Sequence, residues 1–184
     1  MSTPKLVFAA MVLTFSSPVC AQIYGIGKPA TDREISGWNI DVGPDGKGLP
    51  PGRGSVAQGK EVYDTSCAAC HGAKGEGKPA DRLVGGVGSL TTARRIKTVG
   101  SYWPYAPTIY DYINRAMPYN SPQSLKPDQV YAVTAYLLHL NGIVGADAVM
   151  DAETLPKVQM PNRAGFIADG RPDTSNLRCR IDCK

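Results

Sequence analysis

The chain has 184 residues, with 20 Lys+Arg against 16 Asp+Glu, 20 Gly, 15 Pro and 5 Cys. That length suits one ordinary domain with its own core rather than two. A net charge of +4, dispersed along the chain, excludes a basic footprint of the kind that binds nucleic acid.

Residues 1–21 read as a secretory signal peptide. Lys5 supplies the basic start, residues 6–15 an apolar run, and Val19 and Ala21 the small positions before a cleavage point. The run is about half the roughly 20 residues a bilayer span needs. Removal would take away Cys20 and leave Cys67, Cys70, Cys179 and Cys183. The mature protein is therefore expected in an oxidising compartment, the periplasm, without a membrane span.

Residues 22–54 form a Gly/Pro-rich N-terminal arm. Its punctuation argues against a helix. Trp38, Ile40 and Val42 alternate with polar residues, so a short strand or extended stretch is expected. A helix starts at Ser55, where Ser55 and Gln58 have capping-box spacing, and runs to about Cys67. Gly59 costs that helix roughly 1 kcal/mol against Ala, which makes sense where another helix crosses closely. Residues 72–107 are loop-rich, with a short helix expected over Thr91–Lys97. A second helix is expected over Thr108–Ala116, with Thr108 and Asp111 as its cap pair. A third runs from Pro127 to Leu140, with Val130, Val133, Leu137 and Leu140 as its buried stripe, and Asn141-Gly142 stops it. Residues 143–184 form a C-terminal arm divided by Pro156, Pro161 and Pro172, with Cys179 and Cys183 spaced for a local disulfide.

Chemistry enters with Cys67-Ala-Ala-Cys70-His71. In an exported chain, Cys-x-x-Cys-His reads as covalent attachment of one haem c. Two thiols one helical turn apart reach the two vinyl groups, and the next residue offers imidazole to the iron. Cys67 and Cys70 are thus the attachment residues and His71 the first axial ligand. For the second, Met117 in Arg115-Ala-Met-Pro118 is best placed, at the end of the second helix. Met160 and an open site remain as alternatives, and His139 is the other histidine. Thioether opposite imidazole raises the potential and suits an electron carrier. Trp103 is a candidate donor to a haem propionate, and Arg94, Arg95 and Lys97 are candidate partners of a propionate or of another protein. No catalytic residue is identified.

The constellation over 55–142 resembles class I cytochrome c. Gly59 and Tyr63 fit that family's N-terminal helix, and Ala135-Tyr136-Leu137 fits its last one. The resemblance implies an all-α fold, three main helices around a covalent haem, here with extended N- and C-terminal arms over 22–54 and 143–184. A narrower resemblance, to the haem subunit of Sox-type sulfite or sulfane dehydrogenases, rests on Trp38-Asn-Ile-Asp-Val42, Tyr102-Trp-Pro-Tyr105, Asp111-Tyr-Ile-Asn-Arg-Ala-Met-Pro118 and Met160-Pro-Asn-Arg163. Such subunits usually carry two haem domains, whereas this chain has a single Cys-x-x-Cys-His. The resemblance implies an electron-transfer subunit that is not catalytic alone. Its implied partners are a molybdopterin-containing dehydrogenase subunit as donor and another cytochrome as acceptor. The arms then read as docking arms for the molybdenum subunit, with wrapping of the protein's own core as the competing expectation. A free-standing monohaem shuttle is the alternative function.

Overall fold

The computed structural model describes residues 26–170. The signal-peptide segment, Cys179 and Cys183 lie outside these residues. Among them are five α-helices, one two-stranded ladder and two short 3-10 turns.

The first helix, α1 (Asp32–Trp38), corrects the expectation that the N-terminal arm is free of helix. Thr31 caps it: its hydroxyl oxygen accepts from the Glu34 N–H at 3.3 Å, and Glu34 accepts from the Thr31 N–H at 2.8 Å. Local capping thus outweighs the surrounding Gly and Pro. The expected alternation does not form a strand, and Trp38 is 86% exposed.

Next come β1 (Arg53–Ser55) and α2 (Val56–Ser66), the latter capped by Ser55 and Gln58 as the spacing predicts. A one-turn helix, α3 (Ala68–His71), follows directly. No helix covers Thr91–Lys97. A 3-10 turn spans Ser89–Thr91 instead, and the Ser89 hydroxyl both accepts from the Ile96 N–H and donates to its carbonyl, closing a loop.

The next helix, α4 (Ala106–Ala116), begins two residues earlier than the expected Thr108, because Pro107 fits the first turn. Thr108 does not cap with Asp111. Its hydroxyl donates to the Tyr105 carbonyl at 2.7 Å, while the Asp111 carboxylate accepts from the Val42 N–H at 2.9 Å and from Arg115 Nε at 3.0 Å. The last helix, α5 (Pro127–Leu140), has its predicted bounds, and Val130, Val133 and Leu137 are buried.

The core is built on α5, which packs against α2, β1 and α4. Gly54 and Gly59 make this approach possible: a β-carbon at either would overlap the backbone of Ala132. Tyr63 of α2 stacks tilted on Tyr136, with ring centroids 5.4 Å apart, and Tyr110 of α4 on Tyr131 at 4.5 Å.

The inner parts of both arms belong to this core. The C-terminal arm supplies β2 (Val149–Asp151), antiparallel to β1 with Arg53 opposite Asp151 and Gly54 opposite Met150. Met150, Leu155, Val158 and Met160 are buried in the cluster that holds α4 and α5, as is Val42 from the N-terminal arm. The reading of these stretches as arms laid on another subunit is corrected to that extent. Between Val42 and Met160 they cover this protein's own helices, because their scattered apolar side chains find burial there.

Candidate functional site: a cavity between the Cys-x-x-Cys-His turn and the end of α4

α2 ends at Ser66, and the chain turns at Cys67 into α3. This turn presents Cys67, Cys70 and His71 to a cavity of about 850 Å³. Met117 lines the same cavity from the C-terminal end of α4, where its N–H still donates to the Ile113 carbonyl at 3.0 Å. Apolar side chains close the space, among them Leu83, Val99, Ile109, Ile113, Val133 and Leu137. Trp103 lines it too, packed edge-on against Tyr112 at 5.7 Å.

His71 is held in one orientation. Its Nδ1 lies 2.7 Å from the Asp81 carbonyl oxygen, and a carbonyl can only accept, so Nδ1 carries the proton and donates. In the neutral ring Nε2 is then the nitrogen without a proton, free to bind a metal. The turn below it is anchored by Tyr63, whose hydroxyl donates to the Gly72 carbonyl at 2.8 Å. Burial pushes the Tyr63 phenol up to about 12. On the opposite side, Asn141 at the end of α5 donates from Nδ2 to the Leu83 carbonyl at 3.2 Å and accepts from the Gly85 N–H at 3.0 Å. The loop that carries Asp81 is thereby tied to the core.

Cys67 and Cys70 are free thiols. Burial, reinforced by Cys70, pushes Cys67 up to about 11. A thiol so placed stays protonated at neutral pH, unlike the low-pKa thiols of dithiol redox sites. Two unbridged thiols, a tautomer-fixed imidazole and a thioether around one apolar-walled cavity fit a covalently attached haem.

The other candidates separate cleanly. Met160 is 4% exposed within the core and does not line the cavity. His139 also lies off the lining, with Nδ1 3.2 Å from the Val144 carbonyl oxygen. Lys97 lines the cavity and rides 5.0 Å over the Tyr102 ring, whereas Arg94 and Arg95 are exposed and off the lining. Sequence reasoning missed Asp81 and Asn141. Asp81 acts through its backbone carbonyl, which no side-chain pattern signals. The sequence marks Asn141 as a helix stop, and an Asn at a helix end can also turn its amide to such a tie.

Among the described residues no helix is long and apolar enough to cross a membrane. The cytochrome c family model matches residues 56–141. A chain in the crystal structure of the sulfane dehydrogenase SoxCD from Paracoccus pantotrophus is similar over nearly the whole length. It is 46% identical, with a TM-score of 0.76, and the match covers 88% of this chain and 82% of that one. No curated protein matches at a comparable level. The family-model match over the cavity-forming segment and the identity over most of both chains lead to one conclusion: this chain belongs to the cytochrome c family, the electron-transfer proteins that carry haem c.

Proposed function

We propose that this protein is a periplasmic monohaem cytochrome c that accepts electrons from a molybdenum-containing sulfite or sulfane dehydrogenase subunit and passes them to another cytochrome. The observation that carries the haem half is the cavity shared by Cys67, Cys70, His71 and Met117. The likeness to the SoxCD chain supports the sulfur half. When bound, haem supplies one-electron redox chemistry. Cys67 and Cys70 would hold it through thioether bonds. His71 would offer Nε2 to the iron, with Asp81 keeping its ring from turning. Met117 would offer its sulfur as a further ligand and favour the ferrous state. Trp103 would offer its indole N–H to a propionate; among the described residues that N–H has no hydrogen-bond partner. The apolar side chains of the lining would limit solvent access to the bound group and so tune its potential.

The test is a low-salt purification from the native periplasm, followed by metal analysis and addition of sulfite. Molybdenum in fixed ratio to haem iron, one haem per chain, and reduction of the haem by sulfite are the expected results. A lone haem protein without molybdenum, unreduced by sulfite, would overturn the subunit reading. The second reading, a free-standing shuttle, is favoured by one observation. The inner arms bury Val42, Met150, Leu155 and Met160 against their own helices and need no partner to do so.

A further inference from the structure

Residues 160–166 of the C-terminal arm strap the aromatic loop that borders the cavity. Met160, buried in the core, roots the strap. Two turns follow: the Arg163 N–H donates to the Met160 carbonyl at 3.1 Å, and the Gly165 N–H to the Asn162 carbonyl at 3.0 Å. Three side chains of the strap then reach the segment Tyr102–Tyr105. Asn162 donates from Nδ2 to the Tyr102 carbonyl at 2.7 Å. Phe166 meets the Tyr102 ring edge-on, with centroids 5.3 Å apart. Arg163 lies 4.9 Å over the Tyr105 ring. The Asn162 amide is itself confined, since its Oδ1 packs so close to Gly165 that a β-carbon there would overlap it.

Tyr102 passes this hold onward. It lines the cavity, and the Lys97 ammonium, on the lining as well, rides 5.0 Å over its ring. Lys97 forms no ion pair among the described residues, so its charge stays unneutralised where the ring holds it. We propose that the strap is a positioning element of the haem site: Asn162 and Phe166 fix Tyr102, and Tyr102 keeps the Lys97 ammonium at the cavity. Ferric haem carries one positive charge more than ferrous haem, so a cation held beside it disfavours the ferric state and raises the potential. A lysine released into water would lose most of that influence to the higher dielectric and to salt. The strap would thus tune the potential from outside the helical body. The inference rests on the haem reading above. It adds Asn162 and Phe166 to that site, although neither lines the cavity.

The experiment measures reduction potential and backbone hydrogen exchange in the haem-loaded full chain. The strap variant is Asn162→Ala with Phe166→Ala. Phe166→Tyr keeps a ring in place, and Ile167→Ala, at a side chain 91% exposed just beyond the strap, is the control. All are made in the wild type and in a Lys97→Gln background. In the strap variant, amides over 98–105 should exchange faster and the potential should fall, with the ferric methionine band retained. Phe166→Tyr and Ile167→Ala should match the wild type in both readings. In the Lys97→Gln background the strap variant should lower the potential by less than about half as much, because the charge it would release is gone. Faster exchange with an unchanged potential would reduce the strap to a structural brace and overturn the proposal. So would unchanged exchange, an equal fall in both backgrounds, or a fall in Phe166→Tyr as large as in the strap variant. Haem content, read beforehand from the absorption spectrum, keeps the two readings apart: a wild-type chain that never acquires haem refutes the haem reading itself.

Discussion

Gly59 of α2 lies against the backbone carbonyl of Ala132 in α5, and a β-carbon at position 59 would overlap it. The overlap is with backbone, which cannot rotate away. Gly59→Ala is therefore expected to destabilise the protein by about 1–3 kcal/mol through overpacking, despite the roughly 1 kcal/mol gained in helix propensity. Gly37→Ala is the control: it is also helical, but a β-carbon there meets nothing within 4 Å. Urea midpoints of the two variants check the contrast.

Met117→Ala should leave haem attachment intact, because Cys67 and Cys70 are untouched. The ferric charge-transfer band of a methionine-ligated iron should disappear. The potential should fall by on the order of 0.1 V, within the roughly 0.8 V that axial ligands command. Met160→Ala should change neither, since Met160 does not line the cavity. Spectroelectrochemical titration of both variants decides the matter, and an unaltered band in Met117→Ala would remove that residue as ligand.

Asp111 is buried, and its carboxylate is shared between the Val42 N–H and the Arg115 guanidinium. Its truncation in Asp111→Ala leaves a buried N–H without a partner, a loss of about 1–3 kcal/mol. Arg115→Ala leaves the buried Asp111 carboxylate with the Val42 N–H but without its guanidinium partner, so it should cost at least as much, about 2–3 kcal/mol. Denaturation of the two single variants and the double variant measures the coupling.

Alkali should unfold the protein through its tyrosines. Burial raises Tyr63 to about 12 from an unfolded value of 10.0, and raises Tyr131, against which Asp151 also acts, to about 12. Burial raises Tyr110 as well. A raised phenol pKa means that the native state holds its proton more tightly than the unfolded chain does. This contribution is complete below pH 10 and is lost as pH climbs through 12. Tyr63→Phe should flatten the decline between these limits while costing about 1 kcal/mol at neutral pH for the lost bond to Gly72. Stability measured as a function of pH, in wild type and variant, tests both parts.

What was legible in the sequence was local. Ser55 with Gln58 announced α2, the stripe through Val130 and Leu137 announced α5, and Cys67 to His71 with Met117 announced the residues that share the cavity. The misses have physical causes. α1 was hidden because Gly and Pro around it dominate any long window, while Thr31 and Glu34 decide the matter within one turn. The β1–β2 ladder joins residues far apart in sequence, and three-residue strands carry no usable periodicity. The spacing of Thr108 and Asp111 allows a helix cap, which is all that the local sequence shows of Asp111. Its actual partner, Val42, comes from a segment whose position only the folded chain defines.

The ladder that sets Arg53 opposite Asp151 also fixes where the backbone enters and leaves the helical body. The two flanking segments run side by side beyond it, since Gly46 abuts Pro156 so closely that a β-carbon would overlap its ring. Entry and exit therefore share one doorway. A body threaded in this way can be spliced into a loop of a larger polypeptide, or joined end to end and reopened elsewhere, without stretching its interior.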